Sequence, residues 1–188
     1  MSKPFKPTKE QVLAARGKSV PDVIAPGLKV LFCGINPGLY TAATGHHFAR
    51  PGNRFWPALH LAGFTPRQLS PFDEEELLNY GVGIVNIVDH ATARADELTT
   101  EELVRGGAIL EEKLRTFRPR FSAILGLGAY RMAFGRPKAL PGLQAEKLGG
   151  ISQTWVLPNP SGLNANYQMK DLVRMLKELK QAVEEAIG

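Results

Sequence analysis

Four short apolar runs punctuate the chain, and the stretches between them show helical spacing. LKVLFCG (residues 28–34) is almost continuously apolar and is closed by Gly34 and Pro37. GIVNIV, ending at Val88, SAILGL (122–127) and TWVLP (154–158) have the same character. Runs of this length without polar alternation predict strands buried on both faces. Helices are predicted between and after them. Thr99-x-x-Glu102 forms a capping-box pattern ahead of Leu103, Leu110, Leu114 and Phe117, and Pro119 ends that helix. Leu172, Met175, Leu176, Leu179, Val183 and Ile187 mark one face of a final helix, with Lys and Glu opposite. NRFWPALHLAGF and FDEEELLNY read as two shorter helices. Ahead of the first strand, Pro4, Pro7, Gly17, Pro21, Pro26 and Gly27 argue for an arm over 1–23, extended apart from a short helix at 8–16. The main domain then covers 24–188.

This rhythm of strands and helices predicts an α/β fold with a mostly parallel sheet. In open parallel sheets ligands bind beyond the carboxyl ends of the strands. The segments leaving those ends are 35–53, 89–96, 128–131 and 159–166, so the chemistry is expected there.

Composition narrows the picture. The 188 residues, 44% of them hydrophobic, suit one domain. Cys33 is the single cysteine, which excludes an internal disulfide, a multi-cysteine zinc site and a Cys-ligated iron–sulfur cluster. No apolar run approaches the roughly 20 residues of a membrane-spanning helix, and MSKPFKPTKE has no apolar segment of the signal-peptide kind. A cytoplasmic location is therefore expected. The formal net charge of +5 fits a polyanionic partner or plain solubility. The charges are dispersed, so by themselves they do not choose.

Two of the exit segments carry unusual chemistry. GINPGLYTAATGHHF (34–48) is rich in glycine but lacks both the Gly-Lys-Ser/Thr ending of a phosphate loop and the G-x-G-x-x-G fingerprint. Asn36 either points its amide into a pocket or stabilises a turn. Phe48 is either a stacking platform for a flat ligand or a core aromatic. LPNPSGLN (157–164) is a stiff turn with Leu163 near its tip, either a foot on the core or a wedge of the kind that enters DNA base steps. His46, His47, His60 and His90 lack accompanying ligands at metal spacing. No Ser-His-Asp set is evident. No lysine lies in 36–48 or 159–164 to act as an amine nucleophile, so any cleavage is expected to be hydrolytic. Arg50, Arg54, Arg94 and Arg131 are candidate phosphate contacts or plain surface charges.

Taken in order, GINPGL, TGHHF, PGNRFW, NIVD and LPNPSGL resemble the mismatch-specific uracil/thymine-DNA glycosylases, the branch of the uracil-DNA glycosylase superfamily that acts on double-stranded DNA. The resemblance runs from about residue 24 to the C-terminus. It implies a single-domain three-layer sandwich, with a mostly parallel central sheet flanked by helices. It also implies hydrolysis of the N-glycosidic bond of an extruded uracil in a G-mismatched duplex, with thymine and cytosine adducts as further substrates, and an abasic site as product. On this resemblance Asn36 positions the attacking water and Phe48 stacks on the base. Ile35, Asn86 and Tyr40 join Phe48 in binding the substrate. Asn159, Ser161, Gly162, Leu163 and Asn164 meet the DNA, Leu163 filling the gap left by the flipped nucleotide.

Asp89 is expected at the rim beside Asn36, either activating water or capping the next turn and pairing with Arg94. No metal or cofactor is implied; the partner is double-stranded DNA with G:U or related mismatches, and a monomer is expected. Asn164-Ala165 replaces the Ser-Arg common in bacterial relatives, Asn86 stands in place of a lysine, and His90 in place of an arginine. These departures bear on specificity rather than on reaction class. The alternative is a non-catalytic DNA-damage or nucleotide-binding module on the same scaffold.

Overall fold

The computed structural model describes residues 4–188. Strands β1 (Val30–Gly34), β2 (Val82–Asn86), β3 (Phe121–Leu125), β4 (Gly142–Leu148) and β5 (Ser152–Leu157) form one sheet in the order β2-β1-β3-β5-β4. The first four in that order are parallel, and β4 closes the β5 edge antiparallel. Helices α1 (Lys9–Ala14), α2 (Leu39–Thr44), α3 (Phe55–Leu61), α4 (Thr100–Phe117), α5 (Leu127–Ala133) and α6 (Met169–Ile187) accompany it.

Successive strand side chains point to opposite faces, and here both faces are covered. Val30 and Phe32 of β1 pack with Ile84, Leu125 and Trp155 onto α3 and α6. Leu31 and Cys33 pack with Val85, Ile124 and Val156 onto α4 and α5. The chain is therefore an α/β three-layer sandwich. Its parallel strands read as unbroken apolar runs because neither face meets water. Burial pushes the Cys33 thiol well above its ordinary pKa and leaves it unreactive.

The capping box forms as its spacing predicts. Glu102 N–H donates to Thr99 Oγ1 at 3.1 Å, and Thr99 N–H donates to Glu102 Oε2 at 2.7 Å. Three elements differ from expectation. β4 went unread because GLQAEKL is mostly exposed along an antiparallel edge and carries no apolar run. FDEEELLNY lies in a 3₁₀ helix, Pro71–Tyr80, rather than an α-helix. Its inward residues Glu74, Leu77 and Tyr80 recur every third position, the period at which 3₁₀ side chains eclipse. β2 closes at Asn86, so Asp89 lies beyond the strand rather than at its end.

The arm is folded back rather than extended along most of its described length. After α1, Val23 and Ile84 exchange backbone hydrogen bonds of 2.9 and 2.8 Å, so packing is continuous across residue 23. Among the described residues no helix is long and apolar enough to cross a membrane.

Candidate active site

The carboxyl ends of β1, β2, β3 and β5 open onto a cavity of about 340 Å³. That volume lies near the lower end of the roughly 300–1,000 Å³ range of small-molecule sites. Its wall includes Ile35, Asn36, Phe48, Asn86, Asn159 and Leu163. Residues from three of the four exit segments, 35–53, 89–96 and 159–166, thus meet at one place, whereas 128–131 stays outside it and β3 contributes Leu125.

Asn36 is the best-defined polar group. Its Nδ2 donates to His90 O at 3.0 Å and to Thr92 Oγ1 at 2.9 Å. A backbone carbonyl can only accept, so the amide orientation follows from chemistry rather than from choice. Thr92 in turn donates its hydroxyl proton to Arg94 O at 2.7 Å, leaving Oγ1 free to accept from Asn36. Both amide protons are committed, and the carboxamide oxygen is left beside the cavity without a partner among the described residues. The turn-stabilising reading fails for Asn36, whose partners lie more than fifty positions away. It holds instead for Asn159, whose Oδ1 accepts from Ser161 N–H at 2.9 Å.

Phe48 sits at φ 51°, the left-handed region, which an aromatic residue occupies at a cost of about 1–3 kcal/mol unless its surroundings hold it there. They do so on both sides. Glu74, only 6% exposed, accepts from His47 N–H at 2.8 Å and lies 2.8 Å from His46 Nδ1. Trp56 Nε1 donates to His47 O at 3.1 Å, and Ala49 N–H donates to Thr41 Oγ1 at 3.2 Å. The ring stacks on Phe55 with centroids 4.3 Å apart and also lines the cavity. The backbone N–H groups of Ile35 and Phe48 are not taken up by another described residue. Gly34 makes room for these neighbours: a Cβ there would stand 2.5 Å from Asn86 Oδ1 and 3.4 Å from Phe48 Cζ. His47 is buried, which pushes its imidazole toward the neutral form, and its Nε2–H donates to Pro21 O at 2.8 Å.

The 159–164 loop is held by one cation. Arg54 Nη2 donates to Ser161 O at 2.6 Å and to Asn164 O at 3.0 Å, while Nη1 donates to Tyr167 O. Arg54 N–H also donates to Pro160 O at 3.0 Å. Arg54 is therefore a clamp on this loop and is not available as a phosphate contact. Arg131 is committed in the same way, to Ala139 O. Leu163 is 72% exposed, so it is no foot on the core. Gly162 lies against the backbone of Gly52, where an added Cβ would meet Gly52 O at 2.6 Å. Gly162→Ala is expected to lower stability by about 1–3 kcal/mol, because two rigid backbones must separate. Urea unfolding of the variant beside the parent measures this.

Two expected residues stand elsewhere. Tyr40 lies on α2 but does not line the cavity; Thr41, one position on and turned by the helix, does. Asp89 does not line it either. Its side chain is 87% exposed, with the carboxylate 3.8 Å from His90 Nδ1 rather than paired with Arg94. Gly162 and Asn164 are not part of the cavity wall but shape the loop behind it: Asn164 Nδ2 donates to Asn159 O at 3.1 Å. Sequence reasoning missed Thr92, Glu74 and the clamp role of Arg54. Thr92 falls inside the 89–96 exit segment, which was the available signal. Glu74 lies in FDEEELLNY among adjacent acidic residues, and nothing local distinguishes it from Glu75 and Glu76. Among the described residues no group of three or more His, Cys, Asp or Glu side chains is placed to hold a metal ion.

The family model of the Uracil DNA glycosylase superfamily matches residues 21–185. A solution structure from Methanosarcina acetivorans, provisionally described as a uracil DNA glycosylase, is similar in fold at 16% identity and a TM-score of 0.57. The match covers 87% of this chain and 98% of that one.

Proposed function

This chain belongs to the uracil DNA glycosylase superfamily, and from that premise we propose that it releases uracil from G-mismatched duplex DNA by hydrolysis. The observation that carries the reading is the Asn36 carboxamide. Its protons are tied to His90 O and Thr92 Oγ1, which leaves its oxygen unpaired among the described residues beside a cavity that Phe48 also lines.

Hydrolysis of the N-glycosidic bond joins a water oxygen to C1′ of the deoxyribose, while the base leaves as an anion with the bonding electron pair and the water's surplus proton passes to solvent or to the released base. Positive charge grows on the sugar and negative charge on the uracil ring and its carbonyl oxygens. Asn36 Oδ1 accepts a hydrogen bond from the water and aims it, but an amide is too weak a base to take its proton. The rate therefore rests on orientation and on donors directed at the departing base. The N–H groups of Ile35 and Phe48 are the donors we assign, with Asn86 at the base edge and Phe48 stacked on the ring. The base must first leave the helix, at a cost of a few kcal/mol that a mismatch reduces. Leu163, standing free on the Arg54-clamped loop, is the side chain we assign to the vacated stack.

Labelled oligonucleotides carrying U opposite G, U opposite A, T opposite G and single-stranded U, followed by alkaline cleavage, test the reading. Strand breaks at U opposite G are expected. Binding without a break on any substrate would instead support a non-catalytic damage-binding module. In the same assay Asp89→Asn is expected to stay within about threefold of the parent on the G:U duplex, because an exposed carboxylate outside the cavity has no path to the water. A large loss would return Asp89 to the chemistry.

A further inference from the structure

We propose that residues 15–23 act as a positioning strap that holds the two halves of the active site in register, an inference that rests on the glycosylase reading above. No strap side chain lines the cavity. Apart from the Asp22–Lys113 pair on α4, its contacts outside itself go to segments that carry a site residue.

Gly17 N–H donates to Ala91 O at 2.9 Å, and Ala91 N–H donates to Lys18 O at 2.9 Å. Ala91 lies between His90 and Thr92, the two residues that fix the Asn36 amide. Arg16 pairs with Glu97 at 2.8 Å, and Glu97 accepts from Arg94 N–H at 3.1 Å, so the cavity wall beyond Thr92 is tied to the strap as well. Ala15 and Val20 bury themselves with Ala91 and with Ala42 of α2, the helix that follows the Asn36 turn. Pro21 O then accepts from His47 Nε2, immediately beside the strained Phe48.

The sheet fixes the floor of the cavity through its ladder, and beyond it the only backbone hydrogen bonds that the exit loops of β1 and β2 share are Val88 N–H to Ile35 O at 2.9 Å and the bridge from Thr92 N–H to Pro37 O at 3.3 Å. Loops are the mobile part of such a scaffold unless something ties them down. The strap joins the 89–96 loop, which holds the Asn36 amide, to the turn at His47 beside Phe48, and it does so from outside the cavity. A misplacement of about 1 Å in a reacting geometry costs up to about 100-fold in rate, so the strap acts on the chemical step rather than on duplex binding. Residues 15–20 also precede the segment that the family model matches.

The test uses the full chain. Val20→Asp places a charge in the Ala15–Ala42–Ala91 cluster, and Val20→Ile conserves the contact. We expect Val20→Asp to slow single-turnover release of uracil from a G:U duplex by about 30-fold. The Kd for that duplex stays within about twofold, and Val20→Ile restores the parent rate. In NMR spectra the Asn36 side-chain amide protons lose their exchange protection in Val20→Asp and keep it in Val20→Ile. Should Val20→Asp not fold, Gly17→Ala serves. Gly17 sits at φ 80° with open space around it, so a methyl there strains the strap alone, and a loss of about fivefold in the same direction is expected.

Parent-like release together with a protected Asn36 amide, in whichever variant folds, overturns the proposal. So does a fall in rate matched by an equal fall in duplex affinity with the amide unchanged. A parent protein that releases no uracil removes the glycosylase reading instead, and the Asn36 amide signal still reports on the strap.

Discussion

Asn36→Ala is expected to slow uracil release from a G:U duplex by about 10²- to 10³-fold, with duplex affinity within about twofold of the parent. The side chain makes its two hydrogen bonds to His90 O and Thr92 Oγ1 and leaves its oxygen beside the cavity. On the proposed mechanism, removing it takes away the group that aims the water and leaves the Leu163 loop and the Phe48 wall in place. Binding and chemistry should therefore separate, and single-turnover kinetics beside a binding titration measures both. Asn36→Asp is not a conservative control. An ionised carboxylate has no proton to donate to His90 O, so that carbonyl and the Thr92 hydroxyl lose their donor. The variant should lose about 1–3 kcal/mol of stability in chemical denaturation. Equal rates for the parent and Asn36→Ala would remove Asn36 from the mechanism.

Arg54→Ala is expected to produce the largest change in stability, about 2–4 kcal/mol, because charge-assisted hydrogen bonds to three carbonyls disappear together. Ser161 O, Asn164 O and Tyr167 O converge on one guanidinium, and no carboxylate stands among these partners. The loop they belong to carries Leu163. Loosening it makes the wedge pay more ordering entropy on entering the duplex, and affinity for a G:U duplex falls by about 10-fold or more. Arg54→Lys recovers less than half of either loss, since a point ammonium cannot span three acceptors that a planar fork reaches at once. Urea titrations and duplex binding curves for the three proteins decide it. A stable, tightly binding Arg54→Ala would mean that the Gly162–Gly52 backbone contact alone holds the loop.

The two predictions differ in how visible their residues were beforehand. Asn36 stands just past an apolar run that ends in Gly34, so its place at a strand's carboxyl end was legible. Arg54 sits in NRFW, a helical pattern with a charge at its start, and nothing local says that the charge points inward. Its partners lie more than one hundred positions along the chain. Asp89 shows the converse error. Its place in NIVD suggested a strand end, but β2 stops at Asn86 and the intervening turn carries the carboxylate out to solvent. Tyr40 failed for a related reason: once α2 forms, a one-residue step turns a side chain by about 100°, so Thr41 takes the inward place.

By itself, the sequence determined which segments become buried strands, where α4 and α6 lie, and which strand ends open onto the cavity lined by Asn36. Those features rest on local periodicity, capping and strand direction, all written within a few residues of one another. Only the tertiary structure decided that the arm bonds to the exit loops, that Arg54 holds the 159–164 loop, and that Thr92 accepts from Asn36 while Asp89 stands in solvent. The first two depend on backbone groups that carry no sequence signature, and the third on two side chains more than fifty positions apart. They acquire partners only when distant segments come within 3 Å.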